Sequence, residues 1–199
     1  MKEFVLATKN PNKTSEFREM LVPLGFNVMN AIDFPELPDV EEDGETLTEN
    51  ALKKARTIAK ITGKPALADD TGLLVDALNG APGVYSARYA GEKASYQDNV
   101  KKLITELSKK GEFPHKAHFE TVLALVDGNE EFIFKGVCEG QIIGAQRGEK
   151  GFGYDPIFMP EGFEETFAEL SSEKKNEISH RGKALKNFLV WLKNKEITK

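Results

Sequence analysis

The sequence is poor in the residues that build covalent or soft-metal scaffolds: one cysteine, Cys138, and three histidines in 199 residues. A lone thiol forms no intramolecular disulfide, and the histidines lack the spacing of a zinc site, so a disulfide framework and a Cys/His metal centre are both excluded. A reducing, cytoplasmic compartment is expected. No stretch approaches the ~20 apolar residues of a membrane helix, and the apolar run near Phe4 is too short for a signal peptide. A soluble protein without a membrane partner is therefore predicted. Positive charge is also in deficit, 27 Lys and Arg against 32 Asp and Glu for a net −5. That balance argues against a protein that coats a nucleic-acid backbone. There is no Gly-x-x-x-x-Gly-Lys-Ser/Thr pattern, so the chain has no P-loop. Repeats, low-complexity tracts and linkers are missing too, and residues 1–199 are expected to form a single domain.

What is present is an ordinary globular composition, 40% hydrophobic and 30% charged, patterned as alternating strands and helices. Phe4 to Ala7 reads as a short buried strand, followed by a helix from about Lys13 that buries Phe17, Met20 and Leu21 and ends near Pro23 to Gly25. Asp39 to Glu45 is an acidic loop. Leu47, Ala51, Ala55, Ile58 and Ala59 share one helical face, Thr46 and Glu49 form a capping box, and Gly63 with Pro65 closes the helix. Ala66 to Ala68 predicts a strand that ends at Asp69-Asp70, and Ser95 to Lys109 a helix burying Tyr96, Val100, Leu103 and Leu107. Ala117 to Val126 and Glu131 to Val137, joined by Asp127-Gly128-Asn129, predict an antiparallel hairpin. A third strand is expected near Gln141 to Ala145, and a last helix after Ser179 with Ala184, Leu185, Phe188, Leu189 and Leu192 as its apolar stripe. This order indicates an α/β protein with a mixed β-sheet flanked by helices.

Four segments carry chemistry. Thr8-Lys9-Asn10-Pro11-Asn12-Lys13 delivers polar residues to a helix start, where backbone N–H groups and the helix dipole favour an anion; Lys13 is unfavourable there unless something negative is bound. Glu41-Glu42 and Asp69-Asp70 supply carboxylates, and adjacent carboxylates repel unless a cation is shared. Oxygen ligands without cysteine or histidine clusters suit Mg²⁺ or Mn²⁺. Gly151-Phe152-Gly153-Tyr154-Asp155-Pro156 sets glycines around aromatics, which lets a flat ligand approach closely and stack. Ser179-His180-Arg181-Gly182 again puts cations at a helix start, Arg181 with a planar donor fork. Each segment by itself also fits a solvated turn or a capped helix. Together they form a metal, phosphate and base inventory.

The same segments make the chain resemble the inosine/xanthosine triphosphate pyrophosphatase family. The likeness rests on Ala7 to Asn10 through Lys13, Glu41-Glu42-Asp43-Gly44 with Glu49-Asn50-Ala51, and Ala68-Asp69-Asp70-Thr71-Gly72-Leu73. It continues through Gly80 to Tyr89, Gly151 to Phe158 and Ser179 to Gly182, and so covers essentially the whole length. Lys9 stands where the family often has Gly, and Thr71 where it often has Ser. The resemblance implies an elongated mixed sheet in two lobes with a central cleft, a homodimer, and one or more Mg²⁺ ions per subunit. It implies that Thr8, Lys9, Asn10, Pro11, Asn12, Lys13 and Lys175 hold a triphosphate. Glu41 and Asp70 would hold the metal, with Asp70 as general base, and Thr71 would touch the substrate. Phe152, in a loop with Gly153 and Tyr154, would stack on the base, while Asp155, His180 and Arg181 would read its edge. The activity implied is hydrolysis of ITP, dITP and XTP to the monophosphate and pyrophosphate. Two alternatives stand beside it. A pyrophosphatase for modified pyrimidine nucleotides, of the related septum-inhibitor type, would carry a Ser-rich stretch with adjacent arginines, which Ala7 to Lys13 does not match. A non-catalytic nucleotide sensor would have no need of the base Asp70.

Overall fold

Apolar runs broken by capped helix starts give this chain a mixed α/β fold, and the computed structural model describes residues 3–34 and 37–197 of it. In chain order the strands and longer helices are β1 (Glu3–Leu6), α1 (Pro11–Leu21), β2 (Asn27–Asn30), α2 (Leu47–Thr62), β3 (Ala66–Val75) and β4 (Pro82–Gly83). Then follow α3 (Tyr96–Leu107), β5 (His115–Asp127), β6 (Glu130–Ile142), β7 (Phe158–Pro160), α4 (Ser172–Ile178) and α5 (His180–Ile197). Seven strands form one sheet in the order β2-β1-β3-β5-β6-β7, with β4 beside β3. β1 pairs in parallel with β2 and β3, whereas β3–β4 and β6–β7 are antiparallel, so the sheet is mixed as predicted.

The chain divides into two compact units. The first comprises Met1–Asp70, Thr121–Gly136 and Lys183–Lys199. Its core joins Phe4 and Leu6 of β1, Phe17 and Leu21 of α1, Leu123 and Leu125 of β5, and Ala184, Leu185, Phe188 and Leu192 of α5. The second comprises Thr71–Glu120 and Val137–Gly182. Its core gathers Leu73 and Val75 of β3, Val100, Leu103 and Leu107 of α3, and Phe119, Phe158 and Phe167.

Local chemistry explains most element ends. α2 has the expected capping box, Thr46 Oγ1 accepting from the Glu49 N–H while the Glu49 carboxylate accepts from the Thr46 N–H, and it stops at Gly63 in the left-handed region with φ 64°. α1 starts at Pro11, two residues before its apolar pattern, because Pro suits the first turn and Asn10 caps it. β5 and β6 are joined by Gly128 and Asn129 alone, a connection only an antiparallel pair accommodates.

Three expectations need correction. β3 does not end at Asp69-Asp70; it runs on to Val75 because Leu73 and Leu74 pair with β4, so both aspartates are mid-strand. The strand expected at Gln141 to Ala145 is the end of β6, which stops at Ile142. Tyr96 leaves the apolar face of α3: it is 39% exposed, and its ring lies 5.8 Å from that of Phe152.

Candidate active site

The first unit holds a buried array of alternating charge. Asp69 and Asp70 sit on β3, 1% and 5% exposed. A strand sends neighbouring side chains to opposite faces, so the two carboxylates need different partners. Lys13, in the first turn of α1, places its Nζ 3.1 Å from Asp69 Oδ2. Lys54, on the buried face of α2, donates to Asp70 Oδ1 at 3.1 Å, to Glu42 Oε1 at 2.5 Å and to the Asp69 carbonyl at 2.6 Å. Burial pushes the Asp70 carboxyl above its usual value; Lys54 opposes the rise and the Glu42 charge adds to it. Burial also works on Glu42, but the charge and hydrogen bond of Lys54 outweigh it and hold that carboxyl low. Lys54 itself would be lowered by burial, yet Asp70, Glu42 and Asp69 hold it above the ordinary lysine range. The ammonium thus stays charged between carboxylates.

Lys54 belongs to this array although no sequence motif marks it. Its signal was available: a lysine interrupts the buried stripe Leu47, Asn50, Ala51, Ala55 and Ile58 of α2. Of the two adjacent glutamates, Glu42 turns to Lys54, whereas Glu41 is exposed and makes no ion pair among the described residues. The start of α1 is occupied by its own cap. Asn10 Oδ1 accepts from the N–H groups of Asn12 and Lys13 at 3.0 and 3.4 Å, and Thr8 Oγ1 accepts from the Asn10 N–H at 3.2 Å. Lys9 directs its ammonium to Asp39 at 2.7 Å and to the Leu37 carbonyl at 3.2 Å. Pro11 and Asn12 lie exposed in the first turn.

Mg²⁺ takes hard oxygen donors in a near-octahedral shell. Among the described residues no three Asp, Glu, His or Cys side chains converge closely enough to hold an ion unaided. Mg²⁺ is usually held by one or two carboxylates, with waters and substrate phosphates completing the shell. Asp70 Oδ2 is buried without a hydrogen-bond partner among the described residues, and it is a hard oxygen of the kind such an ion takes. The residues fit a metal held by one or two carboxylates, with waters, and substrate phosphates when bound, completing its shell.

The second unit holds an aromatic and cationic group around Phe152. Asp155 Oδ2 accepts from the Phe152 N–H at 2.8 Å and from Lys175 Nζ at 2.7 Å, which folds the glycine-rich loop back on itself. A Cβ on Gly151 would collide with that carboxylate, and its φ of 73° also favours glycine. Lys175 Nζ lies 5.3 Å and Arg181 Cζ 5.8 Å from the centre of the Phe152 ring, within cation–π range. Arg181 is buried and donates to Thr71 Oγ1 at 3.3 Å. His180 stacks on Phe119 at 4.5 Å with 16° between the rings. Gly153, with φ 63°, has open space where a side chain would be. Lys175 is seated with Asp155 and Phe152.

Tyr154 lies in the same loop. Its ring is buried, and its hydroxyl donates to the Ser86 carbonyl at 3.0 Å. Burial pushes that phenol's pKa up, with the charges near Tyr89 and Glu106 adding to the rise. Ser86 Oγ in turn accepts from the Leu73 N–H and donates to the Gly83 carbonyl. The Gly80 to Tyr89 motif thereby anchors the Phe152 loop. Tyr154→Phe removes one buried hydrogen bond and strands a carbonyl, a cost of roughly 1–3 kcal/mol. At about 2–4 °C per kcal/mol for a chain of this size, differential scanning calorimetry should find a melting temperature several degrees lower. An unchanged melt would remove this anchor from the account.

The chain is similar to known proteins along nearly its whole length. The sequence profile of the Ham1 family matches residues 4–191. A dITP/XTP pyrophosphatase of Bacillus licheniformis is 49% identical over 193 residues, 96% of this chain and 98% of the relative. Another, from Desulforamulus reducens, is 50% identical over 191 residues, 96% of this chain and 95% of the relative. Among solved structures, a HAM1 protein from Coxiella burnetii superposes with a TM-score of 0.88 at 44% identity, covering 98% of this chain and all of that one. A nucleoside-triphosphatase described as a dITP/XTP pyrophosphatase, from Mycobacterium abscessus, gives 0.75 at 40% identity, covering 96% and 99%.

Proposed function

Since the chain belongs to the Ham1 family, we propose that it hydrolyses non-standard purine nucleoside triphosphates (ITP, dITP and XTP) to the monophosphate and pyrophosphate. The observation that carries the chemistry is the buried array of the first unit, in which Lys13 meets Asp69 and Lys54 lies between Asp70 and Glu42. Phosphoryl and nucleotidyl transfers are catalysed mainly by positioning and by neutralising charge, and this array has both ammonium donors and a carboxylate base. The substrate class rests on the relatives from Bacillus licheniformis and Desulforamulus reducens, both named dITP/XTP pyrophosphatase, at 49% and 50% identity over nearly full length.

The residues divide as follows. Asp70 orients the attacking water and takes its proton. Lys13, with Thr8 to Asn12, receives the triphosphate, whose charge is able to displace Lys13 from Asp69. Asp70 and the Glu41-Glu42 pair supply the oxygen ligands for Mg²⁺, and Glu42 has the stronger claim because it already turns inward. When bound, Mg²⁺ supplies charge neutralisation at the phosphates and acidifies water. In the second unit Phe152 stacks on the base, while Arg181, with His180 and Lys175, supplies donors for a 6-oxo group. A buried donor facing the amino group of adenine stays unpaired, and mismatches of that kind discriminate by about 10⁴-fold or more. Thr71 holds Arg181. A cytoplasmic location and a homodimer belong to the same proposal; Cys138, the single cysteine of the sequence, suits a reducing compartment.

Hydrolysis in ¹⁸O-labelled water distinguishes the site of attack. The proposal predicts label in IMP and none in pyrophosphate, with release abolished by a chelator and restored by Mg²⁺. Label in orthophosphate, with IDP as the other product, would refute attack at the α-phosphorus.

A further inference from the structure

The acidic segment before α2 is fastened to that helix residue by residue. Glu42 pairs with Lys54 at 2.5 Å and Asp43 with Lys53 at 2.6 Å. The Gly44 N–H donates to Asn50 Oδ1 at 2.8 Å, and the Glu45 and Thr46 N–H groups donate to Glu49 Oε2 at 2.8 and 3.2 Å. Helix positions 49, 50, 53 and 54 are neighbours on one surface, so α2 presents a template along which residues 42–46 lie.

Within that template Asn50 stands apart. It is fully buried, and its Nδ2 has no hydrogen-bond partner among the described residues. The helix start does not need it, because Thr46 and Glu49 complete the capping box. An apolar residue of the same size would fill the space without an unpaired donor, and such donors are costly to bury. The approach of the loop is also close: a Cβ on Gly44 would lie 2.7 Å from Asn50 Oδ1 and 2.9 Å from Glu49 Cβ, so only glycine fits.

We propose that Asn50 is a positioning residue for the metal-binding carboxylates: by holding the Gly44 N–H it fixes the segment so that Glu42 turns toward Lys54 and Asp70 while Glu41 points to solvent. The unpaired Nδ2 is the cost of that placement. The catalytic consequence rests on the pyrophosphatase function proposed above; the placement of the loop does not.

The test uses the full chain as wild type, Asn50→Leu, Asn50→Asp and Gly44→Ala. Three quantities are measured: hydrogen exchange of the Gly44 amide, Mn²⁺ affinity without nucleotide by calorimetry, and the Mg²⁺ concentration for half-maximal pyrophosphate release from ITP. Loss of one hydrogen bond in Asn50→Leu should speed Gly44 exchange and weaken Mn²⁺ binding each by about tenfold. The Mg²⁺ requirement should rise in step, with KM for ITP at saturating Mg²⁺ nearly unchanged. Asn50→Asp keeps the acceptor oxygen and should keep Gly44 protected. Gly44→Ala leaves Asn50 in place but lifts the segment, and should weaken Mn²⁺ similarly even if Asn50→Leu does not fold. Wild-type exchange and Mn²⁺ affinity in Asn50→Leu or, failing that variant, in Gly44→Ala would overturn the proposal. Absence of ITP turnover in the wild type would instead sink the pyrophosphatase function, with the exchange and Mn²⁺ results still deciding the role of Asn50.

Discussion

Asp70→Asn is expected to lower turnover of ITP by roughly 10²–10⁴-fold, the range a positioned general base contributes, while nucleotide affinity changes only a few-fold. Asparagine keeps the size and one oxygen of the side chain but takes no proton. The fold should not suffer. Burial, resisted by Lys54 and helped by Glu42, raises the Asp70 carboxyl above its ordinary 3.8. A raised carboxyl contributes stability that is fully present below the ordinary value and is lost as pH rises through the elevated one. Asn relieves that burial cost, but it also takes from Lys54 the carboxylate that does most to hold its ammonium charged. Lys54 retains Glu42 and the Asp69 carbonyl as partners. The two effects oppose each other, so the metal-free melt should shift less than that of a Lys54 variant, and Mg²⁺ should stabilise Asp70→Asn less than it does the wild type. Wild-type turnover in Asp70→Asn would remove Asp70 as the base.

Lys54→Met is expected to have the largest effect on stability. Not all ion pairs here are equal: Arg56 and Glu131 meet at 2.7 Å but are 56% and 36% exposed, and a pair of that kind contributes about 0–1 kcal/mol. Lys54 is instead buried against two carboxylates and a carbonyl. Removing one partner from a buried ionic group costs roughly 3–5 kcal/mol, because the remaining charges are left uncompensated. At about 2–4 °C per kcal/mol, a melting temperature lower by around 10 °C is expected in the presence of a chelator. Lys54 is held above 10.5, so its contribution is present throughout the neutral range and is lost only as pH rises through that elevated value. A divalent cation replaces part of the missing charge, so Mg²⁺ should recover more of the melt in Lys54→Met than in the wild type. A variant as stable as the wild type in chelator would show that the array does not depend on this ammonium.

Elements with strong local signals were legible in the sequence. The capping box of α2, the Gly63 stop, the Gly128-Asn129 connection and the apolar stripe of α5 are local chemistry, and each appears where its residues stand. β2 was missed because four residues, Asn27 to Asn30, carry no period against their flanks. The end of β3 was misjudged for the opposite reason: Asp69-Asp70 looks like a turn, and only the pairing of Leu73 and Leu74 with β4 keeps the chain extended. The same holds for the candidate site. Motifs indicated which segments carry chemistry, but the turn of Glu42 toward Lys54 and the seating of Lys175 on Asp155 depend on contacts distant in sequence. Lys54 belongs to no motif; three acceptors brought to its ammonium make the buried position tenable.

The most direct test of the function is the rate of pyrophosphate release from ITP, dITP, XTP, ATP, GTP and dUTP, measured side by side with Mg²⁺ present. The account predicts rapid release from ITP, dITP and XTP and rates lower by orders of magnitude from ATP, whose 6-amino group leaves the donors unpaired, and from dUTP; GTP shares the 6-oxo group, and its rate reports what the 2-amino side contributes. Binding of ITP without turnover would contradict it and leave a nucleotide sensor, and fastest release from dUTP would assign the chain to pyrimidine nucleotides instead.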